Sequence, residues 1–296
     1  PDDPGRANRA RRVMRPSERI LAGYYVYATL LALALPARPG VVRVAVALNL
    51  AVLAALACLA WADDLRRGRL LGTIRDWFPL PLLLLAYRQM GWLAPSSHTF
   101  ELERRWIVWD RLLLRDMGLR AAIESLGPLL PSVLEMSYLL VYAIPAGCLA
   151  TLYILGRRDR VDALWVTLLL GTLLAYAQFP FWPSEPPRVV FPGEDAPAID
   201  TLFRRLNWQL LGGYGIHTSV FPSAHVSSAF AASFAMRRAL PERRGVSRFL
   251  AALAVSIAIA TVYGRYHYAV DAVAGFAVAV TARYIASWRR AISSQS

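Results

Sequence analysis

The sequence contains no lysine, and charged residues of every kind are scarce. All 33 basic residues are arginine, and Asp, Glu and Arg together make up 18% of the 296 residues. Soluble domains carry about a quarter of charged residues, and 56% of this chain is apolar. The shortage of charge excludes an ordinary soluble enzyme or a disordered chain and favours a membrane protein.

Cysteine is scarce as well. Cys58 and Cys148 both lie within apolar runs, which excludes a disulfide framework as the device that organises the fold. The lysine-free composition, rich in Ala, Leu, Val and Arg, is typical of a GC-rich bacterial genome. We therefore expect a bacterial inner-membrane protein.

Eight apolar segments are long enough to be considered as membrane-spanning helices, because about 20 apolar residues cross the hydrocarbon core. The third segment contains two prolines and an arginine, and the sixth carries serine and histidine, so these two are the weaker members. The fold class predicted is all-α: a polytopic membrane helical bundle of about eight transmembrane helices. The segments are 20–37, 44–62, 77–93, 136–156, 163–184, 220–236, 249–264 and 268–288.

Arginine clusters set the predicted orientation. With eight spans, the clusters before the first span, after the second, fourth and sixth, and after the last all fall on one side. The positive-inside rule makes that side, with both termini, cytoplasmic. The five arginines within 94–130 lie on the other side, but long connections count less in that rule. Clusters that flank spans also argue against a nucleic-acid partner.

The chain divides at the ends of these segments. The connection over 94–130 has a helix-like alternation of apolar and charged residues, which favours an amphipathic interfacial helix with Trp106 and Trp109 at headgroup depth. The alternative is a polar connector packed on the bundle. The predicted parts are a cytoplasmic tail (1–19), N-terminal transmembrane helices (20–93), the interfacial connection (94–130), a catalytic transmembrane core (131–290) and a C-terminal tail (291–296).

Three polar motifs fall on the non-cytoplasmic side of this topology. They occupy 183–188, 221–225 and 264–271, remote in sequence but at the same membrane face. Ionisable residues at the ends of spans are costly and often functional. Their coincidence at one face is the strongest functional signal in the pattern.

His267 and Asp271 are four residues apart on a predicted helix, so their side chains are neighbours. A carboxylate beside an imidazole fixes its tautomer, as in pairs of nucleophile and base. His225 follows Ser223, which could cap a helix and leave backbone N–H groups facing an anion. The alternatives are a self-satisfied polar pair and a loop histidine without a role.

Two arginines accompany these residues. Arg188 follows two prolines that hold the chain extended, and a rigidly presented guanidinium suits phosphate. Arg265 is two residues from His267 and could join it. The alternative for both is an arginine bound to lipid headgroups. Two histidines, one carboxylate and an arginine together indicate phosphoryl transfer without a metal or another cofactor.

The ordered motifs resemble the type-2 phosphatidic acid phosphatase superfamily over about residues 130–290. Pro222-Ser223-Ala224-His225 resembles its second element, and the run from His267 to Asp271 resembles its third. The Pro186-Pro187-Arg188 run and the His-Tyr-x-x-Asp form are most similar to the inositol phosphorylceramide synthase-like branch. The chain departs from the usual pattern in three places: it lacks the lysine of the first element, has Ala224 where glycine is common, and has Thr261 where the third element usually has arginine.

The resemblance implies roles for single residues. His267 would be the nucleophile, Asp271 its orienting partner, and His225 the general acid and then base. Arg188, Arg265 and Ser223 would bind the substrate phosphate. The implied fold has a six-helix catalytic core open to the periplasmic face.

The substrate predicted is a phospholipid or a polyprenyl phosphate in the bilayer. Water or a lipid alcohol acceptor would take the phosphoryl group from His267, which makes the enzyme a phosphatase or a headgroup transferase. A transporter or a catalytically inactive lipid-binding protein is the alternative. Candidate pocket-lining residues are Tyr268 and four residues of the connection over 185–222, namely Tyr214, His217, Asp200 and Trp208.

Overall fold

The structure, a computed structural model, describes residues 14–66, 68–95, 98–216, 218 and 220–293. Within these ranges the chain forms α-helices joined by turns and short 3₁₀ or π-helical segments, without a strand. The helices are α1 Pro16–Ala34, α2 Pro39–Arg66, α3 Arg69–Trp77, α4 Pro79–Leu93, α5 Glu101–Arg111, α6 Leu119–Glu124, α7 Leu129–Leu140, α8 Ile144–Ile154, α9 Val161–Tyr176, α10 Pro187–Val190, α11 Leu202–Tyr214, α12 Ala224–Ala239, α13 Arg244–Tyr263 and α14 Ala269–Ser293.

Within the described ranges, five helical segments are long and apolar enough to cross a membrane. Helices α7 and α8 form one of them, because only a 3₁₀ turn separates them. The other predicted spans correspond to α1, α4 and α12, which have 19, 15 and 16 residues and are shorter or less apolar. The protein is an all-helical integral membrane protein, and the count of eight spans stays a prediction. The five segments are Pro39–Arg66, Leu129–Ile154, Arg158–Phe181, Arg244–Tyr263 and Ala269–Trp288.

The centre of the bundle is α12, which packs against α9, α13 and α14. Its buried face is made of small residues, mainly alanine. A Cβ placed on Gly171 of α9 would lie 2.4 Å from the Cβ of Ala231. Small side chains therefore let these helices approach closely, as is common in membrane bundles.

The described arginines that follow α8 and end α12 lie together at one end of the bundle. Arg157, after α8, pairs with Glu242, after α12, and Arg238 donates to the carbonyl of Ala286 at 2.9 Å. The two candidate catalytic histidines lie at the other end, since His225 is in the first turn of α12 and Arg238 is in its last. These two clusters of arginines are thus separated from the histidines, whereas Arg188 and Arg265 lie beside them, and the orientation of the bundle stays a prediction.

The N-terminal helices are attached to the core through Asp76, whose side chain is buried. Its carboxylate accepts from Arg15 at 2.5 Å, from Arg158 at 2.6 Å and from the Tyr153 hydroxyl at 2.7 Å. Its carbonyl accepts from the Trp165 indole at 2.8 Å. Helix α1 begins at Pro16, before the predicted start of the first span, because this polar network holds its first turn in place.

In the connection over 94–130, the chain is helical from Glu101 to Glu124 apart from one short turn, and its inward face differs from the expected one. Its described buried residues are Glu103, Ile107, Asp110, Leu114 and Ile123, so two carboxylates face the bundle. Trp106 packs against the rings of Phe221 and Tyr268, whereas Trp109 is exposed. The segment supports the catalytic end of the bundle, and its interfacial depth stays a prediction.

Replacing Asp76 with alanine should lower the free energy of unfolding by about 3 kcal/mol, because two arginines lose a buried counter-ion. Thermal unfolding in detergent, followed by circular dichroism, measures the change. Asp116→Ala is the matched control, since Asp116 pairs with Arg115 in solvent and should change stability by about 0.5 kcal/mol or less. Equal effects of the two substitutions would show that Asp76 does not anchor the N-terminal helices.

Candidate active site

His267 and Asp271 are brought together at the beginning of α14 rather than along one helix. His267 lies in the turn that precedes α14, and Asp271 is the third residue of the helix. One Asp271 carboxylate oxygen lies 3.3 Å from His267 Nδ1 and accepts the Tyr268 backbone N–H at 2.9 Å. A carboxylate in this position reaches back past the helix start, as in a capping box. It orients the imidazole so that Nε2 is left for chemistry.

His225 faces that nitrogen. Its Nδ1 lies 3.3 Å from His267 Nε2, and its Nε2 lies 3.2 Å from the Tyr142 hydroxyl. Ser223 is the N-cap of α12, and its hydroxyl accepts the Val226 backbone N–H at 3.4 Å. The predicted cap is thereby confirmed, and it fixes the turn from which His225 projects.

The beginnings of α12 and α14 are in backbone contact. The Ser223 N–H donates to the Asp271 carbonyl at 3.0 Å. A Cβ on Gly275, one turn into α14, would lie 2.4 Å from the Ser223 carbonyl oxygen. Glycine at this position therefore allows the approach that places the two histidines side by side.

The electrostatic setting favours a neutral imidazole at His267. Its side chain is buried, and that burial, followed by the Arg188 guanidinium, lowers the pKa of His267 to about 3. A neutral ring keeps the lone pair that a nucleophile needs. Its hydrogen bond to Asp271 assigns the remaining proton to Nδ1.

Arg188 completes a small cavity of about 30 Å³ that both histidines line. Pro186 and Pro187 start α10, so Arg188 is held in its first turn. Its backbone N–H donates to the Arg265 carbonyl at 3.3 Å, and its guanidinium donates to the Tyr266 carbonyl at 3.4 Å. Arg188 therefore lies in the same cavity as His267, and its phosphate-binding role stays a prediction.

Comparison with protein families decides the family. The model described as PAP2 superfamily (PAP2_3) matches residues 105–285, which is more than half of the chain. This chain belongs to the PAP2 superfamily. Searches of curated proteins and of solved structures give no match. Members of the superfamily are generally phosphatases or phosphotransferases, and a phosphorylated lipid in a membrane is the kind of substrate that membership suggests.

In this PAP2 protein Arg265 is not placed like Arg188. It has a left-handed backbone conformation with φ of 63°, and its guanidinium binds Asp110 at 2.5 Å in a buried ion pair. The described side chains that line the cavity include Arg188 but not Arg265. The other oxygen of Asp110 accepts the Ala269 N–H at 2.8 Å. Arg265 thus fixes the turn that carries His267.

The sequence does not single out Asp110 as a site residue, because Asp110 lies in the connection that is predicted to rest at the membrane interface. Burial raises its pKa to about 6, although the Arg265 charge opposes that shift. The available signal was the spacing of Asp110. It lies three residues after the apolar Ile107, so the two residues share one face of a helix.

The remaining predicted residues are placed as follows. Ser223 and Tyr268 are fully buried and lie outside the cavity lining, Ser223 as a helix cap and Tyr268 against Trp106. The Tyr214 side chain and His217 lie outside the described part of the chain. Their pocket-lining roles stay predictions.

A second buried carboxylate, Glu135, supports the site from α7. It accepts from the Tyr266 hydroxyl at 2.6 Å, Asn207 at 2.8 Å and Arg204 at 3.0 Å. The Tyr266 ring stacks on Tyr138 with 4.1 Å between ring centroids. Glu135 directly precedes an uncharged run, so in the sequence its charge indicates the boundary of a span.

Tyr266 links three parts of the active site. Its carbonyl and its ring both contact Arg188, with 5.6 Å from guanidinium to ring centroid. Tyr138, on which it stacks, stacks in turn on His225 at 5.0 Å. Tyr266 also directly precedes His267, so its position influences those of His267, His225 and Arg188.

Tyr266→Leu should lower kcat about tenfold, because loss of the ring releases both Arg188 and Tyr138, and 1.4 kcal/mol of lost positioning is a factor of ten. Tyr266→Phe keeps the ring and should lose less. Steady-state phosphate release measures both, with Tyr284→Phe at an exposed site of α14 as control. Equal kcat for the Tyr266→Leu variant and the wild-type protein would remove Tyr266 from this role.

Proposed function

We propose that this protein is a metal-independent lipid phosphatase or phosphotransferase that acts through a phosphohistidine on His267. Its substrate is a phospholipid or polyprenyl phosphate. The observation that carries the proposal is the 3.3 Å approach of His225 Nδ1 to His267 Nε2. Asp271 contacts Nδ1 on the far side of the His267 ring, and Arg188 lines the same cavity as both histidines.

In the first step His267 Nε2 attacks phosphorus. The bond from phosphorus to the lipid oxygen breaks, and His225, which takes up a proton as the anionic substrate enters the cavity, gives that proton to the oxygen. The phosphoryl group enters between the two rings and separates them. Arg188 neutralises charge on the equatorial oxygens, and Asp271 stabilises the imidazolium as it forms.

In the second step His225 is the base. It takes a proton from water or from an alcohol, and the oxygen attacks the phosphohistidine and regenerates neutral His267. Water yields free phosphate, whereas a lipid alcohol yields a new phosphorylated lipid. The Pro-Pro-Arg and His-Tyr-x-x-Asp forms favour transfer, as in the inositol phosphorylceramide synthase-like branch.

We place this reaction at the periplasmic face of a bacterial inner membrane, with both termini in the cytoplasm. The support is the distribution of charge: the described arginines that follow α8 and end α12 lie at the end of the bundle opposite His225 and His267. Under the positive-inside rule that end is cytoplasmic.

Replacing His267 with alanine should lower turnover by at least about 10³-fold while the protein stays folded, since the nucleophile is lost and the cap formed by Asp271 on the Tyr268 N–H remains. Purified protein in mixed micelles is given phosphatidic acid or polyprenyl diphosphate, or phosphatidylinositol with a ceramide or diacylglycerol acceptor. Mass spectrometry follows the lipids, and phosphate release is assayed in parallel. Wild-type turnover in a folded His267→Ala protein would refute the nucleophile assignment.

Arg188→Lys should lower kcat/KM about 10²-fold, because an ammonium cannot donate two parallel hydrogen bonds to a phosphoryl group. The same assay measures it. Arg205→Lys is the matched control, since Arg205 forms only an exposed pair with Asp200. If the Arg188→Lys protein retains the wild-type rate, Arg188 does not bind the reacting phosphate.

A further inference from the structure

A second, larger cavity of about 290 Å³ opens beside the catalytic one. Its walls come from α4, the α7–α8 junction, α9 and α12, and they are mainly apolar with a few tyrosine, serine and threonine hydroxyls. The volume is at the low end for ligand pockets and suits a single narrow chain. Its apolar lining includes Leu80, Leu83, Leu84, Val141, Pro145 and Ala146.

The two cavities meet at His225. Tyr87, Ala224 and His225 line both of them, whereas His267 and Arg188 line only the smaller one. The larger cavity therefore begins on the side of the general acid and away from the nucleophile. Tyr142, whose hydroxyl lies 3.2 Å from His225 Nε2, is part of its wall.

Under the proposed function, the geometry of phosphoryl transfer determines where the leaving group lies. In an in-line displacement the leaving oxygen is on the side opposite the nucleophile, where His225 protonates it. Whatever is bonded to that oxygen must extend beyond His225. The space beyond His225 is the apolar cavity.

We propose that this cavity binds the hydrocarbon chain of the leaving lipid alcohol, one chain at a time. The inference rests on the proposed function. When the bond from phosphorus to oxygen breaks, the oxygen receives the proton of His225 and the free alcohol remains with its chain in the cavity. An acceptor alcohol that attacks the phosphohistidine uses the same cavity, because its oxygen must approach the same side of phosphorus.

Helix α4 forms one wall of this cavity. It lies before residues 105–285, the part that the family model matches. Leu80, Leu83, Leu84 and Tyr87 line the cavity at a spacing that puts them on one face of α4. From Tyr87, at the catalytic end, to Leu80 the helix rises about 10 Å. The N-terminal helices therefore determine how long a chain the active site accepts.

The first test fills the cavity. Ala146→Phe should lower kcat/KM for a hexadecyl phosphate at least tenfold more than kcat/KM for p-nitrophenyl phosphate, whose leaving group is short, since each displaced methylene costs about fourfold in affinity. Ile154→Phe, on the same helix but 83% exposed, is the control. Leu80→Trp is a second variant that should shift preference toward shorter alkyl phosphates. Wild-type chain-length profiles in both folded variants would overturn the proposal.

The second test does not need turnover. A hexadecyl phosphonate with a diazirine in the middle of its chain is photolysed with His267→Ala protein, and cross-linked peptides are identified by mass spectrometry. Labels in α4 and α8 that Ala146→Phe removes support the cavity assignment even if no phosphatase activity is found. Labels spread over outward-facing residues, or unchanged by Ala146→Phe, contradict it even if the enzyme is active.

Discussion

The hydrogen bond between the Ser223 N–H and the Asp271 carbonyl joins the beginnings of α12 and α14, and the active site depends on that contact. Each helix start carries one of the facing histidines or the residue that orients it. Glycine at 275 allows the two backbones to meet. Moving either helix by a fraction of a turn would separate His225 from His267.

Buried polar groups keep the turn before α14 in one conformation. Asp110 holds Arg265 and the first N–H of α14, and Glu135 holds the Tyr266 hydroxyl. Unpaired charges are costly in an apolar bundle, so each of these carboxylates needs its partners and each partner is fixed in return. The turn between these anchors presents His267 to the cavity.

Much of the fold follows from the sequence. Each of the eight apolar segments is mostly helical, with α7 and α8 sharing the fourth, because long uncharged runs leave few other structures possible in a membrane. The gathering of the histidine, aspartate and Arg188 motifs at one end followed from topology alone. The Ser223 cap was predictable from the residue that precedes a helical run.

Other features depend on tertiary contacts that spacing does not encode. The interval from His267 to Asp271 indicated one helix, but the helix starts between them at Ala269. Proximity to His267 in the sequence suggested that Arg265 binds phosphate, but its left-handed backbone conformation accompanies a side chain paired with Asp110. Asp110 and Glu135 were missed because charged residues served as boundaries between spans.

The covalent intermediate is the central claim, and trapping it is the most direct test. His225→Ala protein is mixed with 32P-labelled p-nitrophenyl phosphate, whose leaving group needs no protonation, and quenched in alkali. The account predicts p-nitrophenol release and an acid-labile, alkali-stable label on the peptide that contains His267, absent from a His225→Ala, His267→Ala protein. Release of p-nitrophenol without a label on His267, or a label that persists in the double variant, would contradict it.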